Sequence, residues 1–260
     1  MPNQLPERAL DVALAASAAA REIVLGRFHG AFSVDFKADR SEVTEADREA
    51  ELAIRQLIQN EFPDHQIAGE EFGGGWPLPG WSWLVDPIDG TTSFVHRLPL
   101  FATLIALCLD GQPRLGVLEL PALGRRLYAT AGGGAWEGSR PLALNPDFDP
   151  EVDVVCLGDR RQFASSGRMA LFDSVLELSR LPRTYPDAFG YALVAGGSAA
   201  LMVDPDLQPW DLMAPTLIVQ EAGGVVRTEP EANGKTFVLA GSPAAVAWAE
   251  RLMARSPEHR

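Results

Sequence analysis

The stretch Trp83–Phe94 reads WLVDPIDGTTSF. Three apolar residues lead into two carboxylates, Asp86 and Asp89, and a Gly-Thr-Thr turn follows them. The pattern predicts a buried strand that delivers acids and hydroxyls to its carboxyl end. Pro87 fixes its own φ and favours extended geometry at Asp86, so the two carboxylates are expected on a stiff bend rather than on a mobile loop. The stretch therefore indicates a functional site and not packing alone.

Oxygen ligands on such a bend suit a divalent cation. Mg²⁺ prefers carboxylate, carbonyl and water ligands, and the carbonyl oxygen of Ile88, between the two acids, is a further candidate ligand. Gly90 lets the backbone approach an anion, and the amides of Gly90 and Thr91 can cradle phosphate oxygens if a helix begins there. The Thr91 hydroxyl can orient a water. The alternative is a turn with a helix cap, because Asp, Gly and Thr are also favoured in that role.

The composition is that of an ordinary globular protein. The chain has 260 residues, of which 47% are hydrophobic and 22% are charged, and its formal net charge is −13. This charge argues against a nucleic-acid partner, which requires a basic surface. No apolar run is long enough to cross a membrane and no secretory signal opens the chain, so we expect a cytoplasmic protein without membrane contact. Two cysteines, Cys108 and Cys156, exclude a disulfide framework and a cysteine-rich zinc site.

The patterns of helix and strand differ between two halves of the chain. Residues 1–142 are expected to form an α+β half that carries most of the candidate ligands. Its apolar strands on either side of Asp110-Gly111 predict an antiparallel sheet, and Thr44 is the expected cap of a helix. Residues 143–260 alternate strands with helices, which is typical of an α/β half. The loop-rich stretch Gly132–Pro146 is the expected boundary.

Separate motifs along the chain resemble one known family. Asp86–Phe94, preceded by Gly69-Glu70-Glu71 and followed by Trp210-Asp211 and Glu221–Gly224, is similar to the inositol monophosphatase family of Mg²⁺-dependent phosphomonoesterases. The similarity extends over residues 37–241. It implies a layered αβαβα sandwich of the inositol monophosphatase and fructose-1,6-bisphosphatase type, which mixes α+β and α/β character. It also implies a homodimer and sensitivity to Li⁺.

By this resemblance, acids from distant parts of the chain converge on two or three Mg²⁺ ions, with Mn²⁺ as an alternative ion. Bound cations reverse the local field of an acidic site, which reconciles the net charge with a phosphorylated substrate. An aspartate at a helix start is favourable without a metal, so Asp211 also has a purely structural explanation. The implied metal ligands are Glu70, Asp86, Asp89, Asp211 and the Ile88 carbonyl.

The resemblance also implies how water is activated. Glu70 and Thr91 orient the attacking water, and Asp47 hydrogen-bonds Thr91. The alternative for Glu45, Asp47 and Glu51 is a solvated acidic face on a capped helix, which is the better explanation for most of these acids. The family usually has a glycine in the tight turn where this sequence has Asp39-Arg40-Ser41, so this loop departs from the family pattern.

Further segments resemble the histidinol-phosphate phosphatase branch of the family, namely Thr103–Leu107, Pro121–Arg126 and Tyr185–Ala192. Within the last of these, Asp187 can pair with the ammonium or imidazole of histidinol, or it can be a helix N-cap. Asp204 lies where the family places a carboxylate that binds the alcohol part of the substrate, although a turn at this position is an equal alternative. The expected substrate-binding residues are Asp89, Gly90, Thr91, Asp187, Asp204 and Asp211.

The expected reaction is hydrolysis of a phosphate monoester by direct attack of a metal-activated water. The expected substrate is L-histidinol phosphate, a small phosphorylated metabolite of histidine biosynthesis, and the products are L-histidinol and phosphate. Three alternatives stand beside it. The chain can be an inositol-1-phosphate phosphatase, a 3′(2′),5′-bisphosphate nucleotidase, or a non-catalytic binding member of the same fold.

Overall fold

The computed structural model describes residues 4–37 and 42–255, which form five layers. Two helices cover one face of a seven-stranded sheet, and two more lie between this sheet and a five-stranded sheet. Three helices cover the outer face of the second sheet. This order confirms the αβαβα sandwich expected from the sequence. The loop Asp39-Arg40-Ser41 lies outside the described residues.

The first sheet is antiparallel except at one edge, where strand β3 runs parallel to β4. The order of its strands is β3-β4-β5-β6-β7-β8-β9. Its centre is buried on both faces, which explains the long apolar runs in the sequence. The strands are β3 (Gln66–Gly69), β4 (Trp81–Asp89), β5 (Ala102–Leu109), β6 (Gln112–Leu120), β7 (Arg125–Thr130), β8 (Gly134–Glu137) and β9 (Arg140–Pro141).

The second sheet is mixed, with the order β11-β10-β12-β14-β13. Strand β10 runs parallel to both of its neighbours, and β14 runs antiparallel to both of its own. A separate two-stranded ribbon, β1 (Val34–Phe36) with β2 (Glu42–Thr44), precedes the first sheet. The strands of the second sheet are β10 (Val154–Leu157), β11 (Leu181–Arg183), β12 (Leu201–Leu207), β13 (Val225–Pro230) and β14 (Thr236–Gly241).

The helices divide among the three helical layers according to their apolar faces. Helices α1 and α2 pack on the first sheet, α6 and α7 fill the space between the sheets, and α4, α5 and α8 pack on the outside of the second sheet. The short helix α3 follows β4 directly. The helices are α1 (Ala9–His29), α2 (Glu45–Glu61), α3 (Thr91–Val95), α4 (Arg160–Ser165), α5 (Met169–Leu178), α6 (Asp187–Ala195), α7 (Pro209–Glu221) and α8 (Pro243–Arg255).

Gly116 of β6 marks a close approach between a helix and the first sheet. A Cβ atom at this position would lie 2.8 Å from the Cα atom of Ala214 in α7. Glycine is therefore required here, because any side chain would push the helix away from the sheet. The contact brings α7, which carries Asp211, against the first sheet, which carries Asp86 and Asp89.

The structure differs from the sequence-based expectations in a few places. The sequence predicts one helix over residues 165–178, but the backbone turns at Gly167, where φ is +74°, and separates α4 from α5. The stretch Gly132–Pro146, predicted as loop, contains the short strands β8 and β9. The division into residues 1–142 and 143–260 stays a prediction. The two parts are in direct contact, since α7 from the second half packs on the first sheet.

No helix in residues 4–37 and 42–255 combines the length and the apolar character needed to span a bilayer.

Candidate active site

Strand β4 carries both acids at its carboxyl end, as predicted, and continues through Asp86 to Asp89 with an irregularity between them. Asp86 is paired with Leu104 of β5, and Asp89 is paired with Ala102, so two residues on β4 face one residue, Thr103, on β5. Such a bulge re-aims side chains at a strand end. Pro87 has no N–H to give to the ladder, and its carbonyl accepts a hydrogen bond from the Thr103 hydroxyl at 2.8 Å. The predicted stiff bend is therefore a bulge held by a buried threonine.

Helix α7 brings a third acid to this bend. Asp211 is the third residue of the helix, and its carboxylate accepts a hydrogen bond from the backbone N–H of Gln208 at 2.8 Å, which caps the helix. One carboxylate oxygen from each of Asp86, Asp89 and Asp211 lies within 4.8 Å of the other two. Asp211 thus caps the helix, as its structural explanation predicts, and also joins the acid cluster, while its role as a metal ligand stays a prediction.

The three acids are buried close to one another, and this strongly disfavours their charged forms. Burial raises the pKa of Asp86 well above its usual value, and the nearby carboxylates of Glu70 and Asp89 raise it further. Burial and the carboxylates of Asp187 and Asp211 do the same for Asp89. Burial and Glu70 raise the pKa of Asp211 to about 7. Within the described residues, no lysine or arginine forms an ion pair with any of the three.

This donor set fits a hard divalent cation. It offers only oxygen ligands, which Mg²⁺ prefers, and a bound cation would relieve the repulsion among the acids. Glu70 follows β3, and its backbone N–H donates to the carbonyl oxygen of Val85, so the parallel pairing of β3 with β4 brings it to the same end of the sheet. Lys37 contacts the carboxylates of Glu70 and Glu71, each at 2.7 Å.

The residues after the bulge take up the predicted strand-to-helix turn. Gly90 has φ +81° and is the N-cap of the five-residue helix α3, which begins at Thr91. The Thr91 hydroxyl donates to the Ile88 carbonyl at 3.0 Å. This carbonyl oxygen has a second lone pair, so the hydrogen bond leaves a metal bond possible.

Asp47 occupies a different position in the hydrogen-bond network from the expected one. Its Oδ2 atom accepts hydrogen bonds from the backbone N–H and the hydroxyl of Thr44, at 2.8 and 2.6 Å, in a capping box at the start of α2. In the described part of the chain, the predicted hydrogen bond from Thr91 to Asp47 is absent. The Oδ1 atom of Asp47 is buried without a partner. Burial, together with the charge of Glu70, raises the pKa of Asp47 to about 6.

A second pair of acids lies beside the three clustered ones. Asp187 is the first residue of α6, has φ +61° and makes no cap hydrogen bond, so the N-cap explanation is wrong. Asp204 lies within β12 rather than in a turn, and its carboxylate is buried next to the Tyr191 hydroxyl. Burial raises the pKa of Asp187 to about 6 and that of Asp204 well above its usual value, to which Asp187 and Asp211 also contribute. We refer to Asp187 and Asp204 as the second acid pair.

Two residues of the site region were missed by sequence reasoning. Tyr191 is buried next to Asp204, and burial, followed by the Asp204 carboxylate, raises the pKa of its hydroxyl well above the usual value. It lies one helical turn after Asp187, a spacing that predicts a shared helix face. Glu51, assigned to a solvated face, is fully buried. Its position four residues after Asp47 was the available signal, because residues four apart share a helix face.

Comparison with known proteins agrees with this architecture. A sequence model of the inositol monophosphatase family matches residues 5–260. The histidinol-phosphatase of Mycobacterium tuberculosis is 39% identical over 222 residues, which cover 83% of this chain and 85% of that protein. The histidinol-phosphatase of Chlorobaculum parvum is 37% identical over 216 residues, which cover 83% of each protein. Among solved structures, the extragenic suppressor protein suhB from Bartonella henselae has a TM-score of 0.86 and 26% identity, with coverage of 96% of this chain and 100% of that chain. With its family match over residues 5–260, its two-sheet fold and its buried acid cluster, this chain belongs to the inositol monophosphatase family.

Proposed function

We propose that this phosphatase hydrolyses L-histidinol phosphate with Mg²⁺ as its cofactor. The family and its named relatives support hydrolysis of a small phosphate monoester by a metal-dependent enzyme. The identity of the ion, the number of ions and the substrate are the parts that we propose. Mg²⁺ is supported by the all-oxygen donor set, and histidinol phosphate is supported by the second acid pair, as argued below.

Five oxygen donors of the chain would bind the metal ions. Glu70, Asp86, Asp89, Asp211 and the Ile88 carbonyl would hold two or three ions. When bound, Mg²⁺ supplies Lewis acidity, which lowers the pKa of water and offsets charge on the phosphoryl and leaving oxygens.

Backbone N–H groups and the Thr91 hydroxyl would position the reactants. The N–H groups of Gly90 and Thr91 would cradle phosphate oxygens at the start of α3. The Thr91 hydroxyl donates its hydrogen to Ile88 and keeps an oxygen lone pair that can accept a hydrogen bond from the attacking water. Glu70 would be the second group that orients this water. The bond from the water oxygen to phosphorus would form and the bond from phosphorus to the ester oxygen would break. The attacking water gives up one proton and the leaving ester oxygen takes up one, so the products are the alcohol and inorganic phosphate.

A covalent phosphoenzyme is not needed for this reaction. Burial raises the pKa of both cysteine thiols, Cys108 and Cys156, to about 12, so neither is a reactive thiolate. Direct attack by water is therefore the simpler route.

The choice of histidinol phosphate depends on the second acid pair. Two divalent ions would neutralise the four acids proposed as ligands. Among residues 4–37 and 42–255, no lysine or arginine forms an ion pair with Asp187 or Asp204, so these two would stay without a cation. Buried carboxylates are stable when a cationic group pairs with them. Histidinol carries an ammonium group and an imidazole, whereas inositol is a neutral polyol. A substrate with a positive charge on its alcohol part therefore matches this site better than inositol phosphate does.

A panel of phosphomonoesters tests the proposal. We expect the specificity constant, kcat/KM, to be highest for L-histidinol phosphate, and we expect activity to disappear in EDTA and return with Mg²⁺. Faster turnover of inositol-1-phosphate would move the substrate to the second candidate. Turnover of 3′-phosphoadenosine 5′-phosphate alone would indicate a nucleotidase, and no turnover of any ester would indicate a binding protein. The homodimer and the cytoplasmic location stay predictions.

A further inference from the structure

Glu51 is a buried carboxylate outside the acid cluster. It lies on α2, its side chain has no exposed surface, and its contacts are polar. It accepts hydrogen bonds from the backbone N–H of Glu71 at 2.8 Å and from that of Phe72 at 3.4 Å. It also pairs with Arg55, whose Nε atom is 2.7 Å away, one turn later on the helix. These donors satisfy the buried carboxylate. Because burying a charge is costly even when it is paired, a structural or functional role should explain why Glu51 lies here.

Arg55 contacts the backbone on both sides of residues 69–72. Its Nη1 atom donates to the carbonyl of Ile67 at 3.2 Å, and its Nη2 atom donates to the carbonyl of Gly73 at 3.0 Å. Glu51 and Arg55 together therefore contact the backbone before, within and after the segment 69–72. We call residues 69–72 the acidic turn, because it carries Glu70 and Glu71.

The fit between Glu51 and the acidic turn is close. A Cβ atom on Gly69 would lie 2.1 Å from the Oε1 atom of Glu51, so the carboxylate lies directly against the backbone there. The other side of the turn is fixed to β4, because the N–H of Glu70 donates to the carbonyl of Val85 at 3.1 Å. Val85 directly precedes Asp86. The turn is thus held between α2 and the strand that carries the clustered acids.

We propose that Glu51 is a positioning residue, which fixes the acidic turn through its N–H groups so that the Glu70 carboxylate meets Asp86 and Asp211. Glu51 acts through the backbone and touches neither metal nor substrate. The inference rests on the proposed function, because it takes Glu70 to be a metal ligand. Partners that orient metal ligands typically contribute about 10- to 100-fold to metal affinity.

The test compares Mg²⁺ binding by three variants of the full chain, measured by titration calorimetry. In Glu51→Gln, the amide has one acceptor oxygen, and its NH₂ group faces backbone donors, so the turn loses part of its support. We expect Mg²⁺ binding about tenfold weaker than in the wild type. Glu49→Gln is the matched control, because Glu49 lies on the same helix and forms an exposed ion pair with Arg27. It should bind Mg²⁺ like the wild type.

The third variant separates positioning from simple stabilisation. Glu51→Gln combined with Arg55→Gln removes the guanidinium that has lost its carboxylate partner, together with its hydrogen bonds to the carbonyls of Ile67 and Gly73, and should regain only part of the melting temperature that Glu51→Gln loses. It should not recover Mg²⁺ affinity, because the N–H groups of Glu71 and Phe72 still lack the carboxylate. Recovery of both would show that Glu51 only balances the charge of Arg55 and would overturn the inference.

Kinetics and hydrogen exchange complete the design. With Glu51→Gln, saturating Mg²⁺ should restore most of kcat while the KM for substrate stays unchanged. If the wild type binds Mg²⁺ but hydrolyses no ester, the proposed function fails and the binding comparison still decides the role of Glu51. If Glu51→Gln does not fold, the amides of Glu71 and Phe72 in the metal-free wild type decide instead. Protection equal to that of the α2 amides supports the inference, and free exchange contradicts it.

Discussion

The carboxylate of Asp89 accepts a hydrogen bond from the backbone N–H of Ala188 at 2.5 Å. Asp89 ends strand β4 in the first sheet, and Ala188 lies in the first turn of α6 between the sheets, 99 residues further along the chain. The four N–H groups at a helix start lack partners within the helix, and an acid from another segment satisfies one of them here. One side chain therefore joins the two halves of the site and belongs to the acid cluster.

Asp89→Asn separates these two roles of Asp89. Asparagine keeps an oxygen that can accept from Ala188, so we expect the circular dichroism spectrum to be unchanged. The lost charge should lower kcat by about 10³-fold or more, which corresponds to roughly 4 kcal/mol of transition-state stabilisation. The melting temperature of this variant in EDTA should be higher than that of the wild type, since one of several mutually repelling acids is gone. Asp89→Ala, which also loses the cap, should melt lower than Asp89→Asn. Near-normal hydrolysis by the asparagine variant would remove the metal model.

The stability of the metal-free protein should fall as pH rises from about 4 to 7. The native pKa values of Asp187 and Asp211 are raised, to about 6 and about 7, above the usual value of 3.8. The native state therefore binds more protons than the unfolded state in this range, and raising the pH favours unfolding. His65 contributes in the opposite direction, because burial lowers its pKa. The acids of the site are more numerous than this one histidine, so their effect on the pH dependence of stability should dominate.

The measurement is the melting temperature in EDTA and in Mg²⁺ across this range. The increase in melting temperature caused by Mg²⁺ should grow with pH, because the ion binds the ionised acids. Asp211→Asn should flatten the fall in EDTA. A metal-free protein that grows more stable between pH 5 and 7, with a constant effect of Mg²⁺, would contradict the prediction.

The second acid pair should select the substrate. Asn tolerates the positive φ of Asp187, so Asp187→Asn removes charge without straining the backbone. We expect its kcat/KM for L-histidinol phosphate to fall about 10- to 100-fold, the loss expected when a hydrogen bond to a charged group is removed. The value for inositol-1-phosphate should change much less. Asp173→Asn, an exposed change of equal charge on α5, is the control and should leave both values unchanged. An equal loss for both substrates would contradict the proposed selection.

Local features of the site could be predicted from residue patterns, the convergence of Asp211 with Asp86 and Asp89 was predicted only by family resemblance, and other contacts between distant segments were not predicted. The strand, bend and helix start within Trp83–Phe94 follow from residues next to one another. The capping role of Thr44 is equally local and is confirmed. Glu51 was misassigned because its backbone partners, Glu71 and Phe72, lie about 20 residues away, on a turn whose position depends on the folded sheet. The hydrogen bond between Asp89 and Ala188 was not predicted for the same reason, because the two residues are 99 positions apart in the sequence.

The close approach of α7 to the first sheet gives a prediction about packing. Gly116→Ala would place a Cβ atom 2.8 Å from backbone atoms of Ala214, which cannot move without the helix. We expect a loss of about 1–3 kcal/mol in the free energy of unfolding and weaker Mg²⁺ binding, because Asp211 moves with α7. Gly26→Ala is the control, since a Cβ atom at this position in α1 meets nothing within 4 Å. It should stabilise the protein by about 0.5–1 kcal/mol. Equal stability of the two variants would contradict the predicted contact.

The bulge between Asp86 and Asp89 should depend on the hydroxyl of Thr103. Thr103 is fully buried, and its hydroxyl donates to the Pro87 carbonyl between the two acids. Thr103→Val keeps the shape of the side chain and removes the donor. We expect it to cost about 1–3 kcal/mol in the free energy of unfolding, because the buried carbonyl loses this hydrogen bond.

Mg²⁺ affinity distinguishes support of the site from support of the fold. Thr103→Val should weaken Mg²⁺ binding in calorimetry, because the separation of Asp86 and Asp89 is no longer fixed by the bulge. Thr103→Ser keeps the hydroxyl and loses a methyl group, so it should lose stability through packing while binding Mg²⁺ like the wild type. The serine variant thus shows the cost of packing alone. If valine and serine reduced Mg²⁺ affinity equally, the hydrogen bond to Pro87 would not be what holds the two acids in place.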